Sequence, residues 1–564
     1  MSTKRNHPET IALHGGDYRS DPATNAVAVP IYRTTSYQFK DTDQAANLFA
    51  LKEFGNIYTR IMNPTNDVLE KRVAALEGGL ACLTVSSGQT ASTFAILNVA
   101  QSGDNIVSST DLYGGTVALF THTLKKLGIE VRYADPSDPK NFEKAIDEKT
   151  RAFYAETLPN PYLRVFPIQE VAEIGKKYNI PLIVDNTAAP VICKPIEHGA
   201  AVVIHSLTKF IAGHGTVIGG SIVDGGNFDW TADPKRQPLF NEPDDSYGGA
   251  VWGKVVPELT GANVAFAVRA RVVLLRDLGA ALPPDNAFGV IQGLETVALR
   301  MKQHCSNAEK VVEFLKNHEE VTKVIYPTEH DKNIADRAEK YLKGGKGALV
   351  GIELKGGLEA GKKFIDSLKL LYHVANIGDA RSLAIHPAST THSQLTPEEQ
   401  LKAGVTPGYV RLSIGIEHVD DIIEDIGQAL NNQKIKVGNL KPTRDFNYVE
   451  DIVNGFYLTL KSKNKKIFGE VINLGTGYEV SIKNLLEIIK KISNKKFSFQ
   501  IENKRIRFKK SEVFRLKANN NKAKRLLRWK PKYSGVKGLS KALRLTYSWY
   551  LENNKNLKYN IYNI

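Results

Sequence analysis

Four short, almost wholly apolar runs set the architecture of most of this chain: NIVSS (105–109), TRAFYAET (150–157), IPLIVDN (180–186) and AAVVIHS (200–206). A fifth run, LACLTVSS (80–87), precedes them. Each has the length of a strand, and none alternates apolar with polar residues, so both faces of each strand need cover. The cover is present in the intervening sequence. QTASTFAILNVA (89–100) and VFPIQEVAEIGKKYN (165–179) have helical spacing. Buried strands separated by helices predict an α/β fold with a parallel sheet sandwiched between helices. Long helices follow in GVIQGLETVALRMKQHCSNAEKVVEFLKNH (289–318), and further α/β sequence runs to about Gln433, ending in the helix DIIEDIGQALNN. No solenoid-like internal repeat is present.

Charge divides the chain at the same place. The net charge of the 564 residues is +15, yet residues 434–564 hold 31 Lys and Arg against 9 Asp and Glu, while residues 1–433 are net acidic. All 13 histidines and all 3 cysteines precede residue 434. Such asymmetry predicts two parts of different origin. No run reaches 18 uninterrupted apolar residues, so no membrane span is expected. The opening MSTKRNHPET lacks an apolar leader. Three widely spaced cysteines form neither a disulfide framework nor a zinc pattern, which fits a reducing cytoplasm.

In a parallel α/β sheet, ligands sit beyond the carboxyl ends of the strands. Here those ends carry Asn160, Asp185 and the group Ser206-Leu207-Thr208-Lys209. Each is ordinary alone: Asp185 could cap a helix, and Lys209 could face solvent. Together, a carboxylate, an amine and small hydroxyls suit a ligand with a cationic ring, an aldehyde and a phosphate. Pyridoxal 5'-phosphate has all three. Ser86-Ser87-Gly88-Gln89 joins a strand to a helix, and its backbone N–H groups can complete an anion cup.

Residues 8–433 resemble the cystathionine/methionine-metabolism family of pyridoxal-phosphate enzymes. The motifs in order are GNIYTRIMNPT, ALEGG, SSGQ, LYGGT, VDNT, HSLTKFIAGHG, GDARSLAIHPASTTHSQL and VRLSIGIEHVDDII. The resemblance implies fold type I, the aspartate-aminotransferase-like fold. It implies an N-terminal arm (1–65) reaching a neighbouring subunit, a large cofactor-binding domain (66–265) and a small domain (266–433). It also assigns roles. Lys209 holds the cofactor aldehyde and moves protons. Asp185 faces the ring nitrogen. Tyr113 stacks on the ring and assists proton transfer. Gly88, Gln89, Ser206 and Thr208 hold the phosphate, joined by Tyr58 and Arg60 of a neighbouring subunit. Asn160, Asn376 and Arg411 face the substrate, with Arg411 on its carboxylate. His386 and His392 are not read as metal ligands, and no metal is expected. Asn376 stands where lyase relatives carry serine, which points to the sulfhydrylase branch. That branch joins O-acetylhomoserine to sulfide or methanethiol by γ-replacement, as a homotetramer of dimers with shared sites. Cystathionine γ-synthase or γ-lyase chemistry is the alternative.

The basic tail resembles another family. RDFNYVED (444–451), NLGTG (473–477), SEV (511–513) and KAKRLLRWKPKY (522–533) are similar to the C-terminal third of NAD-dependent nucleotide-sugar epimerases and dehydratases. The glycine-rich dinucleotide entry and the upstream Tyr-x-x-x-Lys of that family are missing. Tyr457 and Lys461 match that spacing only formally, in a helix pattern after the motif. Asn519 and Phe508 depart from the family's residues. The tail therefore reads as an appended, non-catalytic α+β fragment, with strands at DFNYV and EVINLG and helices at DIVNGFYLTL, SIKNLLEIIKKI and LSKALRLTYSWYLE. It would lack the domain that normally covers its apolar face, so marginal stability or packing against the first part is expected. Nucleic-acid binding through NKRIRFKKSEVFRLK (503–517) has charge in its favour but no accompanying fold motif.

Overall fold

The computed structural model describes residues 7–394, 396–430, 434–493, 498–502, 505–506 and 511–553. The chain divides into two compact units, Met1–Leu430 and Asn431–Ile564.

The first unit is built on a seven-stranded sheet. Its strands are β1 (Ala81–Val85), β2 (Asn105–Ser109), β3 (Glu130–Ala134), β4 (Thr150–Glu156), β5 (Leu182–Asp185), β6 (Val202–Ser206) and β7 (Gly220–Asp224). The spatial order is β1-β7-β6-β5-β4-β2-β3. All five expected runs form strands. The sheet is not wholly parallel, however: β7 runs antiparallel to both β1 and β6. Its sequence GSIVD is short and lies among glycines, so the sequence pattern did not announce it.

Burial explains the apolar runs. Successive side chains of a strand face opposite sides of the sheet. Leu182 and Val184 enter one core, together with Val203 and Val223. Ile183 enters the other, together with Ile204 and Ile222. The first core is closed by α1 (Pro64–Glu77) and α3 (Ile168–Lys177), and the second by α2 (Gly88–Leu97). Each fully buried aliphatic side chain contributes about 1.5–3 kcal/mol. The amphipathic α3 buries Ile168, Val171, Ala172 and Gly175 along one stripe, as its spacing predicts.

A second, five-stranded sheet follows, built from β8 (Val321–Ile325), β9 (Leu349–Leu354), β10 (Tyr372–His373), β11 (Leu383–Ile385) and β12 (Tyr409–Ser413), in the order β10-β11-β12-β9-β8. The long 289–318 segment is two helices, α4 (Pro284–Leu294) and α5 (Val297–Lys316). α6 (Val419–Leu430) ends the unit.

The second unit contains small sheets and α7 (Val449–Lys461), α8 (Ile482–Ser493) and α9 (Gly535–Glu552). The three expected helices are present. Two expected strands are not. DFNYV is irregular because its side chains fix loops instead: Asp445 accepts N–H bonds from Thr476 (3.0 Å), Gly477 (2.9 Å) and Ala518 (3.2 Å). EVINLG has no ladder partner among the described residues, and Val471 is 79% exposed. A strand without a neighbour leaves its backbone groups unpaired. The core here is small, centred on Ala523, Leu527 and Trp529. Asp451 stabilises it by accepting from the N–H groups of Lys532 (2.8 Å) and Tyr533 (3.0 Å). One face of α7 is open, with Val449, Val453, Phe456 and Leu460 all more than half exposed. Lys461 lies 5.0 Å over the Tyr457 ring, one helical turn away. Residues 503–504 and 507–510 of the basic run 503–517 that suggested nucleic-acid contact, Phe508 among them, lie outside the described residues.

Candidate active site

The carboxyl ends of β4, β5 and β6 open into a cavity of about 260 Å³. Ten of the residues singled out in the sequence line it: Gly88, Gln89, Tyr113, Asn160, Asp185, Ser206, Thr208, Lys209, Asn376 and Arg411. Tyr58 and Arg60 do not line it. They are exposed, with the Arg60 guanidinium 5.6 Å from the Tyr58 ring centre. His386 is tied into the fold through Ser389 Oγ (2.8 Å) and the Pro407 carbonyl (2.9 Å).

One end of the cavity is an anion cup. Ser87 caps α2, its Oγ accepting the Thr90 N–H at 3.1 Å. The first N–H groups of α2, at the positive end of the helix dipole, stay available to a ligand. The cup is narrow because two glycines permit it. A Cβ at Gly88 would stand 2.6 Å from Ser206 Cβ, and one at Gly220 would stand 2.1 Å from the Ser87 carbonyl. Opposite, the Ser206 N–H donates to Thr187 Oγ1 (2.7 Å), which ties β6 to the end of β5. Thr208 Oγ1 accepts the Gly219 N–H at 3.1 Å.

Asp185 projects from β5 and accepts the Thr187 N–H at 2.8 Å. Burial pushes its carboxyl up, against the hydrogen bonds of Thr187 and the influence of His205. The opposite face of the sheet fixes the neighbouring residues. His205 Nε2 lies 2.7 Å from Glu77 Oε1, and Asn186 Nδ2 donates to the same carboxylate at 3.2 Å. One buried acid thus orders the residue after Asp185 and the residue before Ser206.

Lys209 Nζ donates to Asn376 Oδ1 at 2.6 Å, and Arg411 Nη2 donates to the Asn376 carbonyl at 2.8 Å. Asn376 comes from the connection between β10 and β11, and Arg411 from β12, so the second sheet completes the site. Burial, reinforced by the Arg411 charge, holds the Lys209 ammonium below the ordinary lysine range. The turn after Lys209 is held by Arg300 on α5, whose guanidinium donates to the carbonyls of Phe210 (2.7 Å), Ile211 (2.9 Å) and Gly293 (2.6 Å).

The cavity carries unused bonding capacity of the kind a polar ligand satisfies. Among the described residues, Asn160 Oδ1 and Arg411 Nε are buried without a partner. An acid, an amine, an anion cup and a fixed guanidinium together suit pyridoxal 5'-phosphate and an amino acid.

Residues 9–431 match the model of the Cys/Met metabolism PLP-dependent enzymes. The chain belongs to that family.

Curated members of it are close in sequence. The O-acetyl-L-homoserine sulfhydrylase of Leptospira meyeri is 56% identical over 431 residues, which cover 75% of this chain and 97% of that protein. O-acetyl-L-homoserine sulfhydrylase 1 of Thermus thermophilus is 51% identical, covering 75% and 99%. Homocysteine synthase of Schizosaccharomyces pombe is 47% identical, covering 76% and 99%. A solved structure from Campylobacter jejuni, assigned as an O-acetylhomoserine (thiol)-lyase and carrying N'-pyridoxyl-lysine-5'-monophosphate, superposes with a TM-score of 0.71 at 42% identity. It covers 75% of this chain and 100% of that one. These likenesses support the fold-type I architecture. Residues 414–542 match a different model, GDP-mannose 4,6 dehydratase. The PLP-dependent family thus accounts for the first unit, and a GDP-mannose-dehydratase-like segment for most of the second.

Sequence reading missed several residues that line the cavity, the polar Thr116, Glu156 and Thr187 among them. Glu156 had a visible signal: it is an acid closing an apolar strand, four residues before Asn160.

Proposed function

We propose that residues 1–430 catalyse γ-replacement, converting O-acetyl-L-homoserine and sulfide or methanethiol into L-homocysteine or methionine and acetate. The observation that carries the reading is Asn376, held between Lys209 and Arg411 where lyase relatives have serine. The identity to named sulfhydrylases supports it.

In this reading Gly88, Gln89, Ser206 and Thr208 hold the cofactor phosphate, Asp185 the ring nitrogen and Tyr113 the ring face. Bound pyridoxal 5'-phosphate supplies an electron sink conjugated to the substrate's amino nitrogen. Arg411 fixes the substrate carboxylate by a bidentate pair, and its burial keeps that contact dry. Lys209, its ammonium held below the ordinary lysine range by burial, takes the α-proton and then a β-proton of the substrate and returns one to each carbon once the thiolate has added. Acetate leaves Cγ, and the thiolate adds to the same carbon. Asn160 orients the substrate. Tyr58 and Arg60, placed on an exposed N-terminal arm, serve a neighbouring subunit's phosphate, so a dimer is the smallest active unit and the family's tetramer the expected assembly. The enzyme works in the cytoplasm. Residues 434–564 are a fused fragment without catalysis of its own.

The test is a visible absorbance spectrum of the purified chain, then addition of O-acetylhomoserine with sulfide. Bound-cofactor absorbance and homocysteine formation are expected, both lost in Lys209→Ala and both retained when residues 434–564 are deleted. Turnover of cystathionine in preference to O-acetylhomoserine would move the assignment to the lyase branch.

A further inference from the structure

Glu156 has a place in the site that its chemistry alone does not explain. It ends β4 directly beside Asp185, which ends β5, in parallel register. Both side chains reach the cavity, so they project from the same face of the sheet. Two buried acids at neighbouring positions repel, and a ligand with one cationic ring needs only one of them. Glu156 does something else: its Oε1 accepts the backbone N–H of Tyr113 at 2.7 Å. Tyr113 is the residue before the short helix Gly114–Ala118, where backbone N–H groups lack partners within the helix. Tyr113 is 54% exposed, so packing over Gly115 holds its ring on one side only. Glu156 itself is only 8% exposed and rises from a rigid strand.

We propose that Glu156 is a positioning residue that fixes Tyr113 against the cofactor ring through the Tyr113 N–H, and that it acts by the reach of its side chain rather than by charge. The inference rests on the reading of Tyr113 as the residue on the ring face. Burial, with Asp185 beside it, pushes the Glu156 carboxyl well up. A neutral carboxyl still offers a carbonyl oxygen to an N–H donor, and so does a carboxamide of equal length.

Reach and charge separate cleanly in two variants. Glu156→Gln keeps the acceptor in place and removes the acid. Glu156→Asp keeps the acid and withdraws the oxygen by one methylene. Cofactor affinity of the full chain and visible circular dichroism of the bound cofactor report the result at equal loading. Glu156→Gln is expected to match the wild type within about twofold, and Glu156→Asp to bind about tenfold more weakly with reduced dichroism, as for one lost hydrogen bond. Glu156→Asp should add nothing further in a Tyr113→Ala background. The reverse order, with Asp silent and Gln impaired, would overturn the inference in favour of charge, and additive effects with Tyr113→Ala would overturn it too. If Tyr113→Ala alone changes neither readout, the reading of Tyr113 fails and the inference falls with it. If Tyr113→Ala has its effect and Glu156→Asp has none, the inference alone fails. Should Glu156→Asp not fold, the wild-type Tyr113 amide decides: protection from hydrogen exchange is expected, and exchange at the rate of a free loop overturns the proposal.

Discussion

Gly88→Ala is the substitution that probes the anion cup most directly. The added Cβ would lie 2.6 Å from Ser206 Cβ, 2.9 Å from its Cα and 3.0 Å from its Oγ. Carbon atoms in contact rest at about 3.5–4.0 Å, so the α2 N-terminus and the Ser206 turn must part by roughly 1 Å. Neither can yield freely. Gly88 is the first residue of α2, and the Ser206 N–H is tied to Thr187. In the empty protein the cup relaxes by opening. Gathering its donors round a phosphate then restores the clash, at a cost of about 1–3 kcal/mol for overpacking. That corresponds to a cofactor affinity lower by about 5–150-fold. The assay is titration of cofactor-free enzyme with pyridoxal 5'-phosphate, followed by fluorescence or dialysis. Gly114→Ala is the control, because its Cβ meets nothing nearer than His392 Nε2 at 3.9 Å. It should stay within about twofold of wild type, inside the range of a neutral substitution. An unchanged affinity in Gly88→Ala, whether or not the melting temperature falls, would refute the placement of the phosphate between these two turns.

Two further outcomes follow from buried charges. Arg300→Met strands the carbonyls of Phe210, Ile211 and Gly293, so it should destabilise the first unit by about 3 kcal/mol or more; calorimetry showing a loss below about 1 kcal/mol would contradict the role given to Arg300. Asp224 is buried and its carboxyl is pushed up to about 6. Between pH ~4 and ~6 the folded chain therefore holds a proton that the unfolded chain has released, and stability drains from this site as pH rises. Asp224→Asn removes that dependence, so its stability relative to wild type should improve by about 2 kcal/mol from pH 4 to pH 7. Denaturant titrations at the two pH values check this, and a difference independent of pH would count against the raised value.

The strands were legible where the sequence carried long apolar runs, as in IPLIVDN and AAVVIHS. β7 was not, because GSIVD has five residues between glycines and depends on both neighbours for its ladder. EVINLG failed in the opposite sense. Its residues favour a strand, but extended backbone persists only where another strand accepts its hydrogen bonds. In the site, residues on strand ends could be read because spacing in sequence becomes spacing across the sheet. That logic brought Asn160, Asp185 and Lys209 together, and the family motifs added Asn376 and Arg411 from the second sheet. Glu156 was passed over as the tail of an apolar strand: its function lies in a bond to the backbone of Tyr113, forty-three residues away, and no local pattern encodes such a bond. Tyr58 and Arg60, which the same motifs proposed for the phosphate, sit outside the cavity of their own chain.

The reversed direction of β7 has a consequence for how this site can change. Because β7 enters between β1 and β6, its first residue, Gly220, packs against the Ser87 turn while Gly88 packs against Ser206, and the main chain itself sets the cup's width. There is no side chain to vary there without prising the strands apart. The opposite wall is furnished by Asn376 and Arg411, carried by a separate sheet. Directed evolution toward a new acyl ester or thiol would therefore find its adaptable positions around residues 375–377 and along the approach to Arg411. The cofactor end would stay fixed under every such selection.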